Sequence, residues 1–213
     1  MSTSEPVVLI VSGPSGSGKS TLVEKILELP GTMLSVSCTT RLPRRTESDG
    51  KWYNFVSEDE FQQMVTRGEF LEYARVFGRD WYGTPRKWLE EARKQKKDLV
   101  LEIDVQGAMQ VRQELPGSVA LFVLPPSRAE LERRIRARGQ DLEEEIHRRL
   151  ERAREEMLSY SNYDFAVVND DLDRAGREVQ AIAIGSRCRM ARNEDQIREI
   201  LKSFGGESSH GRF

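Results

Sequence analysis

Gly13, Gly18, Lys19 and Ser20 fall at the spacing G-x-x-x-x-G-K-[ST] inside the stretch VVLIVSGPSGSGKST. The chemistry this spacing supports is the binding of nucleotide phosphates. Glycine admits torsions closed to other residues, so the chain can approach a phosphate and turn successive N–H groups inward as an anion nest. Lys19 adds a full positive charge for the β and γ phosphates, and the Ser20 hydroxyl can ligate Mg²⁺. Pro14, Ser15, Gly16 and Ser17 fill the loop, and Thr21 follows it. The bland alternative is a glycine-rich turn that happens to carry a lysine, and the flanking residues argue against it.

Such a loop works when a strand and a helix hold its two ends. Residues 7–11 form a short apolar, β-branched run after Pro6, which suits a strand buried on both faces of a parallel sheet. Leu22, Val23, Ile26 and Leu27 then recur at helical spacing until Pro30 and Gly31 stop the pattern. The helix N-terminus behind the loop contributes further partial positive charge.

Further buried-strand candidates are residues 33–37, 99–105, 119–124 and 165–168, with helical patterns between them. Ser57 before Glu60 and Ser127 before Glu130 have capping-box spacing, and Thr84 followed by Pro85 reads as another helix start. Alternating strands and helices predict an α/β fold: a P-loop-type parallel sheet flanked by helices, with ligands at the carboxyl ends of the strands. Two segments break the rhythm. Residues 38–83 carry short aromatic runs and turn signals such as Asp49-Gly50, which predict a β-rich insertion. Residues 127–160 are overwhelmingly charged and read as two helices hinged near Gly139, most of their charges forming a solvated face. The expected organisation is core over 1–37, insertion over 38–83, core over 84–126, lid over 127–160, core and C-terminal helix over 161–204, and a flexible tail over 205–213.

The 213 residues carry a net charge of −2 although 32% of them are charged. That balance excludes bulk nucleic-acid or membrane binding and directs attention to local arginine clusters. Cys38 and Cys188 form no disulfide framework. The N-terminal apolar run is too short for a signal peptide or a membrane span, so a cytoplasmic protein is expected. A homo-oligomer is compatible with the sequence, which does not decide it.

The segments SVSCTTRLPRRTESDGKWYNFVS, GEFLEYA, WYGTP, LEIDVQG, RIRARG and VNDDLD lie in the order and spacing seen in guanylate kinases. Over about residues 7–175 the sequence resembles the bacterial members of that family. The resemblance implies a GMP site lined by Ser37, Arg41, Arg44, Tyr53, Glu72, Tyr82, Gly83, Thr84, Glu102 and Asp104. It implies that Arg134, Arg138 and Arg149 come from the lid, Arg134 toward ATP, and that Asn169 lies near the adenine. Lys19, Arg41, Arg44, Arg138 and Arg149 would be catalytic, with Mg²⁺ at Ser20 and, through water, at Asp104. The substrates implied are ATP with GMP and dGMP, with no nucleic-acid or membrane partner.

The residue types support this independently. Guanidinium forks and phenol hydroxyls, as in Arg41, Arg44, Tyr53 and Tyr82, grip a phosphate monoester. Guanine offers donors at N1 and N2 for a carboxylate such as Glu72, and an acceptor at O6 for a hydroxyl such as Ser37. Glu102 and Asp104, two apart on one expected strand, would share a face beside the loop. The sequence departs from the family at Arg45-Thr46, where a glycine is usual, and at Glu102, where some members have aspartate. Two alternatives are a non-catalytic guanylate-kinase-like binding module, marked by loss of the loop lysine or the GMP-site arginines, and a kinase for another monophosphate, differing at Ser37 and Glu72.

Overall fold

A computed structural model describes residues 5–43, 50, 52–76, 78–137 and 142–204. Arg44, Arg138, the Arg45-Thr46 departure, the hinge at Gly139 and the tail lie outside the described residues.

β1 (Val8–Ser12) is buried along its whole length because it is the middle strand of the main sheet. It pairs in parallel with β7 (Asp98–Glu102) on one side and β8 (Val119–Leu124) on the other. β2 (Thr32–Leu34) and β9 (Phe165–Val168) complete the parallel order β2-β7-β1-β8-β9. Successive side chains of β1 go to opposite faces, as a period of two requires. Leu9 and Val11 pack with Leu22, Val23 and Ile26 of α1 (Lys19–Leu27) and with Val179 of α7 (Leu172–Ser186). Val8 and Ile10 pack with Ala92 of α3 (Lys87–Gln95) and with Ala108 and Val111 of α4 (Val105–Glu114). A strand covered by helices on both faces has no solvent side, which is why its sequence shows a run and not an alternation.

A second sheet, in the order β4-β3-β6-β5, is built from β3 (Ser37–Thr39), β4 (Tyr53–Phe55), β5 (Phe70–Val76) and β6 (Asp80–Pro85). It packs on α2 (Glu58–Thr66) through Phe61, which stacks on Phe70 with ring centroids 4.5 Å apart. Ser57 caps α2, its hydroxyl accepting from Glu60 N at 3.1 Å, and Ser127 does the same for Glu130 N at the start of α5 (Arg128–Ala137). α5 and α6 (Glu143–Met157) share a small core of Leu131, Ile135, Ile146, Leu150 and Ala153. A short 3₁₀ turn, Leu158–Asn162, returns the chain to β9, and α8 (Met190–Ser203) follows α7.

Three expected elements differ. The run 33–37 is two strands in two sheets, β2 ending at Leu34 and β3 starting at Ser37. The run 99–105 ends at Glu102, and Asp104 instead caps α4 by accepting from Gly107 N at 2.9 Å. Glu102 and Asp104 therefore do not share a strand face. Thr84-Pro85 is not a helix start: both residues finish β6, where Pro85 pairs with Phe70, and α3 begins at Lys87. A proline at the end of a strand forfeits no central ladder bond, so the pairing with β5 prevails over the local helix signal.

Candidate active site

The loop joining β1 to α1 takes the torsions glycine permits. Gly13 has φ 138° and Gly18, the residue before α1, has φ 91°. A side chain at Gly13 would also run into the Val123 backbone, its Cβ 3.1 Å from the carbonyl carbon. Lys19 Nζ donates to the carbonyls of Gly13 at 2.7 Å and Pro14 at 3.1 Å, and so lies across the loop it serves. The Ser20 hydroxyl donates to Glu102 Oε1 at 2.8 Å, which brings the end of β7 to the start of α1.

The far side of the loop is held by other parts of the chain. Asn169, 6% exposed just after β9, donates its side-chain amide to Ser17 O at 2.8 Å. Arg134 of α5 donates to Ser17 O at 3.3 Å and Asn169 O at 2.8 Å, while Glu130 accepts from its Nε at 2.7 Å. Arg149 of α6 donates to the Ser15 hydroxyl at 2.8 Å. Of the three lid arginines expected at the site, the two that are described, Arg134 and Arg149, thus meet at the phosphate loop.

The second sheet faces the same cleft. On β6, Tyr82 and Thr84 point one way, while Gly83 lies on the other face under Phe70, where a Cβ would be 2.8 Å from the ring. Arg41 Nε donates to the Tyr82 hydroxyl at 3.0 Å, and its guanidinium lies 5.6 Å from the Tyr53 ring centre. The Tyr53 and Tyr82 rings meet edge to face at 5.6 Å. Two residue pairs along from Tyr82, Thr84 stands opposite Glu72 of β5 and donates to Glu72 Oε1 at 2.6 Å. Ser37 joins through its hydroxyl, 3.1 Å from that of Thr84.

Glu72 is 4% exposed. Burial pushes its carboxyl up from 4.5 to about 7, and the charge of Asp104 adds to the rise, while the Thr84 hydrogen bonds oppose it. A buried acid with a raised pKa that lines a cleft is a functional-site candidate.

One cleft of about 470 Å³ joins the two halves, lined by Gly13, Lys19 and Ser20 at one end and by Ser37, Arg41, Tyr53, Glu72 and Tyr82 at the other, with Glu102 and Asp104 between. Among the described residues no group of three His, Cys, Asp or Glu side chains could hold a metal unaided. The hydroxyl of Ser20 and the carboxylates of Glu102 and Asp104 are hard oxygen donors, which fit a Mg²⁺ that keeps waters and takes most of its ligands from phosphate.

Sequence reasoning missed two lid residues. Glu156 of α6 lines the cleft, and burial pushes its carboxyl above the usual range, opposed by the Arg152 hydrogen bond and the Lys19 charge. Arg152 donates to Glu156 at 2.9 Å and lies 3.8 Å from Asp104. The spacing Arg149, Arg152, Glu156 repeats at three and four residues, a one-face helical signal obscured by the surrounding charges.

A parallel sheet whose first strand runs into a phosphate loop, a second small sheet across one cleft and two arginine-bearing lid helices define a P-loop protein of the α/β nucleotide-binding class. Residues 5–184 match the family described as guanylate kinase. The chain is 45% identical over 195 residues to the guanylate kinase of Caldanaerobacter subterraneus subsp. tengcongensis, covering 91% of this chain and 94% of that one. It is 48% identical over 198 residues to that of Alkalilimnicola ehrlichii, covering 92% and 97%. The crystal structure of guanylate kinase from Anaplasma phagocytophilum superposes with a TM-score of 0.80 at 34% identity, over 96% of this chain and 98% of that one. The chain belongs to the guanylate kinase family.

Proposed function

We propose that the protein transfers the γ-phosphoryl group of ATP to GMP, giving ADP and GDP, and that dGMP is a second acceptor. The observation that carries the reading is the single cleft with the phosphate loop at one end and the buried, hydrogen-bonded Glu72 at the other. Glu72 accepts from guanine N1–H and N2–H, and the hydroxyl pair of Ser37 and Thr84 serves O6. Arg41, Tyr53 and Tyr82, with Arg44 beyond the described residues, grip the GMP phosphate.

An oxygen of that phosphate attacks the γ-phosphorus, the bond to the β–γ bridging oxygen breaks, and ADP leaves with the electron pair. No general base is required, because the second pKa of a phosphate monoester is about 6 and the nucleophile is already largely dianionic near neutral pH. Lys19 moves its ammonium from the loop carbonyls to the β and γ oxygens, and the backbone N–H groups of residues 13–20 cradle them. Ser20, with the carboxylates of Glu102 and Asp104 nearby, would hold a Mg²⁺, which would supply charge neutralisation to the ATP phosphates. Arg149 and Arg138 neutralise charge on the transferring group as the lid closes, and Arg134 and Asn169 form the floor of the ATP site.

Among the described residues no helix is long and apolar enough to cross a membrane. We place the reaction in the cytoplasm, where both nucleotides are supplied. The test is an ADP-release assay with Mg-ATP over GMP, dGMP, AMP, CMP and UMP. GMP and dGMP should be turned over and the rest should not; comparable turnover of AMP would refute the reading.

A further inference from the structure

Glu72 lies against helix α4, and two residues of that helix, one turn apart, determine how. Gln110 closes a two-bond ring with the backbone beside Glu72: its Oε1 accepts from Tyr73 N at 3.2 Å and its Nε2 donates to Tyr73 O at 2.8 Å. A side-chain amide paired in this way stands in for a neighbouring strand and fixes β5 against the helix. Gly107 sits three residues earlier, on the same face. A Cβ built there would lie 2.9 Å from Glu72 Cδ and 3.4 Å from Cγ and would overlap Oε2; the three nearest atoms all belong to Glu72.

The backbone gives no reason for this glycine. Gly107 is inside α4 and is absent from the positions of positive φ among the described residues. Alanine is the better helix former at an ordinary helical position. Space is the requirement, and it is space for one carboxylate. The Gly107 N–H also donates to Asp104 Oδ1 at 2.9 Å, so one backbone position adjoins both Glu72 and the acid that lines the middle of the cleft.

We propose that Gly107 is a specificity-determining positioning residue: its bare Cα lets the Glu72 carboxylate rest against α4, aimed at the two N–H donors of guanine, with Gln110 holding the strand that carries it. The inference rests on the guanine-reading role given to Glu72 above. An alanine at 107 pushes the carboxylate into the cleft and away from the line to N1 and N2. Guanine recognition suffers while the phosphate loop, on the other side of the cleft, does not.

The experiment is a double-mutant cycle of Gly107→Ala and Glu72→Ala, read as KM for GMP, KM for ATP and the GMP-to-AMP ratio of kcat/KM, with thermal melts of each protein. Misplacing a reading group by about 1 Å is worth ~10²-fold, so Gly107→Ala should raise the GMP KM by about that factor and lower the GMP-to-AMP ratio, with the ATP KM within about twofold. With the carboxylate removed there is nothing to displace, so Gly107→Ala should add no further loss in the Glu72→Ala background. Equal losses in both backgrounds, or an unchanged GMP KM in Gly107→Ala, overturn the inference and leave the role of Glu72 intact. Should Gly107→Ala alone fail to fold, the double variant should fold and melt as Glu72→Ala does; its failure also overturns the inference. Full preference for GMP over AMP in Glu72→Ala refutes the reading of Glu72 itself and the inference with it.

Discussion

Thr84 and Glu72 face each other across the β5–β6 ladder, and the 2.6 Å hydrogen bond between them holds a carboxyl that burial keeps protonated up to about pH 7. The folded chain thus binds this proton more tightly than the unfolded chain does, so the contribution to stability is complete below pH 4.5 and is lost as the pH rises through about 7. The loss is on the order of 3 kcal/mol. Urea midpoints of the protein without nucleotide or magnesium should show a fall across that window, and Glu72→Gln should flatten it. An identical slope in the mutant would contradict the assignment. Guanine needs the ionised form, so GMP binding should strengthen over the same window, and Glu72→Gln should reduce that dependence to the part carried by the GMP phosphate, whose second pKa is about 6.

Lys19 donates to two backbone carbonyls of its own loop, and its side chain belongs to no apolar core cluster among the described residues. Lys19→Met should lower kcat by about 10²-fold or more, the usual effect of one lost charge-stabilising contact. The melting temperature without ligand should scarcely move. Turnover near that of the parent protein would exclude Lys19 from the chemistry.

Arg149 reaches the phosphate loop from α6 through Ser15. If it acts on charge that develops during transfer, Arg149→Ala lowers kcat and kcat/KM together, with the GMP KM almost unchanged. The same split is expected of Arg138→Ala. Steady-state kinetics at saturating ATP distinguishes this from a rise in GMP KM alone, which would make either residue a binding group.

Asp98, 4% exposed at the start of β7, accepts from Val7 N at 2.9 Å and from Arg187 Nε at 2.6 Å, and lies 3.4 Å from Arg192. It ties the segment after α7 to the base of the sheet, remote from the cleft. Asp98→Ala leaves a buried N–H and a guanidinium without their acceptor and should cost about 2–4 kcal/mol of stability. Chemical denaturation measures this directly, and a cost below about 0.5 kcal/mol would refute it.

The legible parts of this molecule are those whose signal is local. The phosphate loop is a backbone device with its own spacing, β1 is a run because helices cover both its faces, and Ser57 and Ser127 announce the helices they cap. Thr84-Pro85 misleads because a proline can begin a helix or finish a strand, and only the distant partner Phe70 decides between them. Asp104 continues an apolar strand pattern in the sequence, and its hydrogen bond from Gly107 N makes it a helix cap instead. The one-face spacing of Arg152 and Glu156 is hidden among the other lid charges, and the weight of Gly107 depends wholly on Glu72, 35 positions earlier and adjacent only in the fold.

The central claim is that a buried carboxylate at one end of an ATP-binding cleft selects guanine, and the most direct measurement is kcat/KM of Glu72→Gln for GMP and for AMP. The amide keeps the size, has a single acceptor oxygen and carries no charge. GMP should lose about 10²-fold or more, while the already poor AMP rate holds or rises, because adenine turns an acceptor toward this position and lacks the second amine. ATP KM should stay near that of the parent. A mutant that keeps its full preference for GMP over AMP would contradict the account.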